Sequence, residues 1–136
     1  MKLLMFYVQS FHYNPVLKAS DEFDDEAIEG VAENAVLGFI HVEAEDEEKI
    51  SHSVTRLIKN LKWLAGKNGT KKIVLHSFSH LSDSKGSAAT VKDIFAQATQ
   101  RLTSSGYDVS QTPLGYMCDI SLSAPGTPLA RVFKSF

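Results

Sequence analysis

Two apolar runs, Ala35–Val42 (AVLGFIHV) and Lys72–Ser77 (KIVLHS), flank a stretch of helical periodicity, and this succession restricts the chain more than any other feature. Within Asp46–Ala65, the residues Ile50, Val54, Leu57, Ile58, Leu61, Leu64 and Ala65 fall on one stripe, with Lys49, Arg56 and Lys59 opposite. Asp46 suits the N-cap, Glu47 and Glu48 suit the positive end, and Gly66 suits the stop. The flanking runs are short, continuous and bounded by polar residues, as buried strands are. A strand, a helix and a strand in series predict a sheet with a helix laid across it.

The remaining segments extend that pattern. Lys2–Val8 reads as a buried first strand, and Gln9–Leu17 (QSFHYNPVL) as a second, edge-like strand, because Pro15 lacks a ladder donor. His12 and Tyr13 there are expected to form a surface pair. Ser20–Asn34 is dense in carboxylates and reads as an exposed loop with one helical turn; it lacks the spacing of a calcium loop. Asp83–Ala89 is a polar loop in which Ser84 or Ser87 caps a second helix, whose buried stripe is Val91, Ile94, Phe95, Ala98 and Leu102, ending at Gly106. Tyr107–Gln111 is short and mixed, Thr112–Gly115 turns, and Tyr116–Ser123 reads as a strand. For Leu129–Phe136 the pattern fits a short strand or a helical turn equally. The expected architecture is α/β (α+β): one domain, residues 1–136, with a mixed sheet carrying two helices on one face.

A chain of 136 residues, 43% hydrophobic and 22% charged, can bury a core and has no disordered character. A single cysteine excludes an internal disulfide and a multi-cysteine metal site, consistent with a reducing, cytoplasmic location. The apolar opening Leu3–Val8 has no small-residue cleavage site after it, so a strand is expected there and not a signal peptide. No run is long enough to cross a membrane. The charges are polarised: residues 1–48 set two lysines against twelve carboxylates, a net of −10, whereas residues 49–136 carry a net of +8. A basic later segment suits a polyanionic partner or simply a solvated surface.

Phosphate loops, dinucleotide fingerprints, zinc-protease helices and the nucleophile elbow are absent. His76 and His80 stand four apart in a strand followed by a turn, a spacing that does not bring both to one metal. What remains is Ser77–Ser82 (SFSHLS), where a histidine follows a strand end among small hydroxyl residues, and Pro113–Cys118 (PLGYMC). Strands ending side by side would set His80 and the Tyr116–Cys118 segment around one rim pocket, with His80 placed for proton transfer. Taken alone, His80 also fits a structural histidine and Cys118 an inert core thiol.

Four pieces, FIHVE at 39–43, SFSHLS at 77–82, GYDVSQTPLGYMC at 106–118 and PGTPLA at 125–130, together resemble the editing domain of archaeal-type threonyl-tRNA synthetase, which has the D-aminoacyl-tRNA deacylase-like fold. The resemblance covers nearly the whole chain. It implies a pocket for the aminoacylated 3′ adenosine of tRNA and hydrolysis of seryl-tRNA(Thr), needing no cofactor or metal. The alternative is a non-catalytic module that holds a tRNA end, a nucleotide or a threonyl-tRNA synthetase, and a homodimer is expected from apolar strands pairing across a sheet edge. A separate proofreading site has a physical reason, since one methyl group gives only ~1–3 kcal/mol of discrimination in a single pocket. By the resemblance, Val42 contacts the adenosine, Phe78 and Ser79 wall the pocket, Tyr116 forms its floor and His80 is its histidine. The family's second tyrosine and its supporting lysine are here Met117, a substrate-binding position, and Cys118, which becomes a catalytic candidate only with a lowered pKa. A family glutamate is replaced by Arg131.

Overall fold

The computed structural model describes residues 1–136 as one six-stranded mixed sheet with two helices. Its strands are β1 (Lys2–Lys18), β2 (Gly30–His41), β3 (Lys72–Ser77), β4 (Asp108–Gln111), β5 (Tyr116–Ser123) and β6 (Arg131–Ser135). The helices are α1 (Ile50–Lys67) and α2 (Ala88–Ser104). The order across the sheet is β4-β3-β2-β1-β5, with β6 also beside β1. β2, β3 and β4 are mutually parallel, and β1 runs antiparallel to β2, β5 and β6.

The expected α/β (α+β) architecture is therefore present, and its first strand explains much of it. Lys2–Val8 and Gln9–Leu17, read as two strands, form one continuous β1. It pairs with β2 from Lys2 to Tyr13, with β6 near its start and with β5 from Ser10 onward. Pro15 does not end the strand; the register against β5 shifts between Pro15 and Leu17, the bulge that a residue without an N–H tends to produce. β2 begins at Gly30, so the end of the carboxylate-rich segment is strand and not loop. Polar Glu33 and Asn34 belong to it because β1 supplies ladder partners that a single-sequence pattern does not reveal.

α1 starts later than its N-cap signal suggested. Ala44–Glu48 is a separate 3-10 turn, and Asp46 is fully buried within it, accepting hydrogen bonds from the Glu43 backbone N–H (2.7 Å) and the Ser53 hydroxyl. α2 is capped by Ser87, whose Oγ accepts from the Thr90 N–H at 3.2 Å. Ser84 instead accepts from the Ala44 N–H at 3.0 Å. The chain's last segment resolves into a short 3-10 turn, Pro128–Ala130, followed by β6.

β2–α1–β3 and β3–α2–β4 are successive parallel crossovers progressing the same way across the sheet. The strong preference for right-handed crossovers then puts both helices on the same face. The main core lies there: Leu3, Met5, Val36, Ile40, Ile73 and Leu75 from the strands meet Leu57, Leu61, Ile94, Phe95 and Leu102 from the helices. The other face carries a smaller cluster of Val8, Phe11, Leu37, Phe39 and Val74. Edge-to-face aromatic contacts run across it from Phe39 to His76 (5.2 Å) and Phe78 (4.8 Å), then from Phe78 to His80 (4.8 Å).

Candidate functional site at the rim of the sheet

Parallel strands β2 and β3 end together at one rim, where ligands of open α/β sheets commonly bind. A cavity of about 420 Å³ opens there. Ile40 and Val42 come from the end of β2, Ser77, Ser79 and His80 from the end of β3, and Tyr116 and Met117 from the start of β5. Val42, Ser79, His80, Tyr116 and Met117, named from the sequence, are thus brought together.

Phe78 and Cys118 lie in an adjoining cavity of about 60 Å³, which also borders His80, Tyr116 and Met117. Phe78 therefore does not wall the larger cavity; it holds the His80 ring edge-to-face. Burial, then the neighbouring Asp119 carboxylate, pushes the Cys118 thiol up, which works against a thiolate nucleophile at neutral pH. His80 has no carboxylate partner; the histidine that stands beside a carboxylate is His12, 3.4 Å from Glu29 on the surface. His76 is a buried structural histidine: desolvation lowers its pKa to about 4, and its Nδ1 lies 2.8 Å from the Thr112 hydroxyl. Arg131 is exposed and donates to the Pro125 carbonyl at 2.8 Å, with no part in lining the cavity.

The cavity also has walls that sequence patterns did not single out. Ala19, Ser20, Glu22 and Phe23 come from the turn after β1, and Lys85, Gly86, Ala88 and Val91 from the approach to α2 and its first turn. The turn after β1 is tied over the opening by the Ala19 N–H to the Gly115 carbonyl (2.7 Å) and by the Glu26 N–H to the Tyr116 hydroxyl (3.2 Å). Gly115 has φ +80°, and an added Cβ would lie 2.7 Å from the Phe23 ring. Phe23 and Lys85 stand in polar loops, and no periodicity marks such residues as wall-forming. From the sequence, Lys85 and Lys134 both stand as lysines able to replace the charge absent at Cys118; Lys85 lines the cavity and Lys134 does not.

The loop bearing Lys85 is fastened to the end of β2. His41 Nδ1 accepts from the Leu81 N–H at 3.0 Å and its Nε2 lies 2.7 Å from the Ser84 carbonyl, which fixes the proton on Nε2. Gly86 N–H donates to the Val42 carbonyl at 2.9 Å, an approach so close that a Cβ on Gly86 would come within 2.8 Å of the Val42 side chain. Ser82 donates to Glu43 at 2.7 Å. Burial would raise the Glu43 pKa, but the Met1 amino group, Ser82 and Lys2 together hold it down to about 2. The cavity presents one ammonium group, Lys85, one carboxylate, Glu22, and one imidazole, His80.

A rim cavity with these groups, on a mixed sheet backed by two helices, defines the class: a single α/β domain with a ligand-sized site at the end of its parallel strands. More narrowly, residues 1–136 match the archaea-specific editing domain of threonyl-tRNA synthetase, and the chain belongs to that family. It is 29% identical over 142 residues to the threonine–tRNA ligase of Hyperthermus butylicus, covering 100% of this chain and 23% of that one. It is 30% identical over 138 residues to that of Methanococcus vannielii, covering 98% and 21%. The chain thus spans less than a quarter of the length of these curated relatives. Among solved structures, the c-Myc DNA Unwinding Element Binding Protein superposes with a TM-score of 0.69 at 10% identity, covering 100% of this chain and 99% of that one, a likeness of fold alone.

Proposed function

We propose that the rim cavity receives the aminoacylated 3′ adenosine of tRNA(Thr) and hydrolyses the ester when the amino acid is serine. The observation that carries this reading is the convergence of Val42, Ser79, His80, Tyr116 and Met117 on one cavity that also contains an unpaired lysine, Lys85. Its volume, about 420 Å³, lies within the range of small-molecule sites. Val42 and Met117 offer apolar surface to the adenosine, and the Glu22 carboxylate complements the α-ammonium of the amino acid.

In this reading a water adds to the ester carbonyl, the carbon–oxygen bond to the ribose breaks, and the proton lost by the water passes through His80 to the ribose oxygen. The charge that develops on the carbonyl oxygen needs a donor, and Lys85 supplies it from a position outside the family's lysine site, which Cys118 occupies. Removing one such donor typically costs about 2.7–4 kcal/mol of transition-state stabilisation. Cys118 is given no nucleophilic role. The tRNA would be charged by a threonyl-tRNA synthetase, in the cytoplasm. Exposed apolar residues on β1 and β5, among them Val16, Leu17 and Ile120, leave room for a second copy in a homodimer.

The test is deacylation of seryl-tRNA(Thr) against threonyl-tRNA(Thr) by the purified protein. Faster release of serine, lost in His80→Ala and Lys85→Ala, is the expected result; rates equal to buffer for both substrates would refute hydrolysis. A second reading, binding without cleavage, is favoured by the thiol standing in the family's lysine position. It predicts protection of seryl-tRNA from spontaneous deacylation, the reverse of the first outcome.

A further inference from the structure

A second concave feature lies on the outer surface of α1 beside β6, and shares no residue with the rim cavity. Arg56, Lys59, Asn60 and Trp63 line it from α1, and Lys134 lines it from β6, around a cleft of about 360 Å³. The spacing of three, four and seven residues from Arg56 puts these α1 side chains on one helical stripe. Lys134 sits with its ammonium 5.9 Å from the centre of the Trp63 ring, and Arg56 lies 5.2 Å from that of Phe136. The lysine ion pairs of the chain engage Lys2, Lys18 and Lys49, leaving Arg56, Lys59 and Lys134 without an acidic partner. Trp63 is 42% exposed although it is the largest apolar side chain of the helix.

Three unpaired cations around an exposed indole suit a strand that carries phosphates and flat bases. Successive phosphates can be neutralised by Arg56, Lys59 and Lys134 while one unstacked base lies on Trp63, a contact that tolerates any base. An acidic peptide would satisfy the charges but leave the indole without a planar partner.

We propose that the α1–β6 cleft is a second RNA-contacting site, which seats an unpaired stretch of RNA with a base on Trp63 and its phosphates on Arg56, Lys59 and Lys134. That the strand belongs to the tRNA whose 3′ end enters the rim cavity rests on the reading given above; the affinity of the cleft for an RNA strand does not.

Trp63 is the chain's one tryptophan, so its emission reports occupancy of the cleft directly. The experiment titrates the 136-residue chain with a single-stranded oligouridylate of about twelve nucleotides, at several salt concentrations. Quenching of Trp63 is expected, with log affinity falling against log salt at a slope of about −2, since single strands lose about 0.7 per phosphate contact. Lys59→Glu and Lys134→Glu, each checked by its melting curve to be folded, should weaken binding at least tenfold and flatten that slope. His80→Ala should leave it unchanged. For Trp63→Leu, anisotropy of a labelled RNA should also show weaker binding. Unaltered emission, equal binding by the Lys134→Glu variant, equal binding of polyglutamate, or loss of binding in His80→Ala would each overturn the proposal. Deacylation of seryl-tRNA by the same samples tests the rim cavity separately, so the two readings fail independently.

Discussion

The rim cavity and the α1–β6 cleft are built in opposite ways. The cavity gathers five parts of the chain, and a polar network from Asp46 and Glu43 through Ser82 and His41 fastens the loop that bears Lys85 to the end of β2. It presents both signs of charge and an imidazole in defined places. The cleft stands on one helix and a neighbouring strand, presents charge of one sign beside an exposed indole, and has no hydrogen-bonded scaffold beyond those elements. A site that must place a water against an ester requires the first construction. A site that meets a flexible polyanion requires only charge and an exposed ring. Perturbing the network should therefore damage the rim and spare the cleft.

The sharpest way to break the comparison is Asp46→Ala. It leaves the Glu43 N–H, the Ser53 hydroxyl and the Met1 amino group, which lies 3.2 Å from the carboxylate, without their buried partner. A loss of about 3–5 kcal/mol is expected in urea unfolding, together with loss of deacylation, while the surviving folded fraction still quenches with RNA. Next in size, Lys85→Ala should slow seryl-tRNA deacylation by about a hundredfold or more with little change in stability; a parallel loss of stability would make Lys85 a structural residue.

Acid should act through the same region. The folded pKa of His76, about 4, lies below its ordinary 6.5, so protonation favours the unfolded chain; the contribution is complete above pH 6.5 and disappears as pH falls towards 4. That shift corresponds to about 3 kcal/mol, and His76→Phe should remove this part of the pH dependence. Glu43, held at about 2 against an ordinary 4.5, adds a second loss between pH 4.5 and 2. The smallest effect is expected from Gly115→Ala, where a left-handed φ and the Phe23 ring oppose a Cβ. It should cost about 1–3 kcal/mol and raise the KM for seryl-tRNA as Phe23 is displaced.

How much of this could be read beforehand depended on the kind of signal. α1 and α2 were legible because each buries a regular stripe, and β2 and β3 because their apolar runs are continuous. The unity of β1 was not, since Asn14 and Pro15 look like a stop until a bulge against β5 accommodates them. Asp46 looked like a helix cap because short acidic residues before an apolar stripe usually are; its burial against Ser53 is a tertiary contact. Likewise, His80 and Tyr116 were found through motifs, whereas Glu22, Phe23 and Lys85 reach the cavity only by the way their loops are tied, as Gly86 against Val42 illustrates.

The central claim, that a lysine from the loop before α2 supplies the charge missing from β5, is tested most directly by single-turnover deacylation of seryl-tRNA(Thr). The purified wild type is compared with Lys85→Ala and with Lys85→Ala carrying Cys118→Lys. The account predicts activity in the wild type, a loss of about a hundredfold in the single variant and partial return in the double one. Wild-type rates unaffected by removal of Lys85 would contradict it.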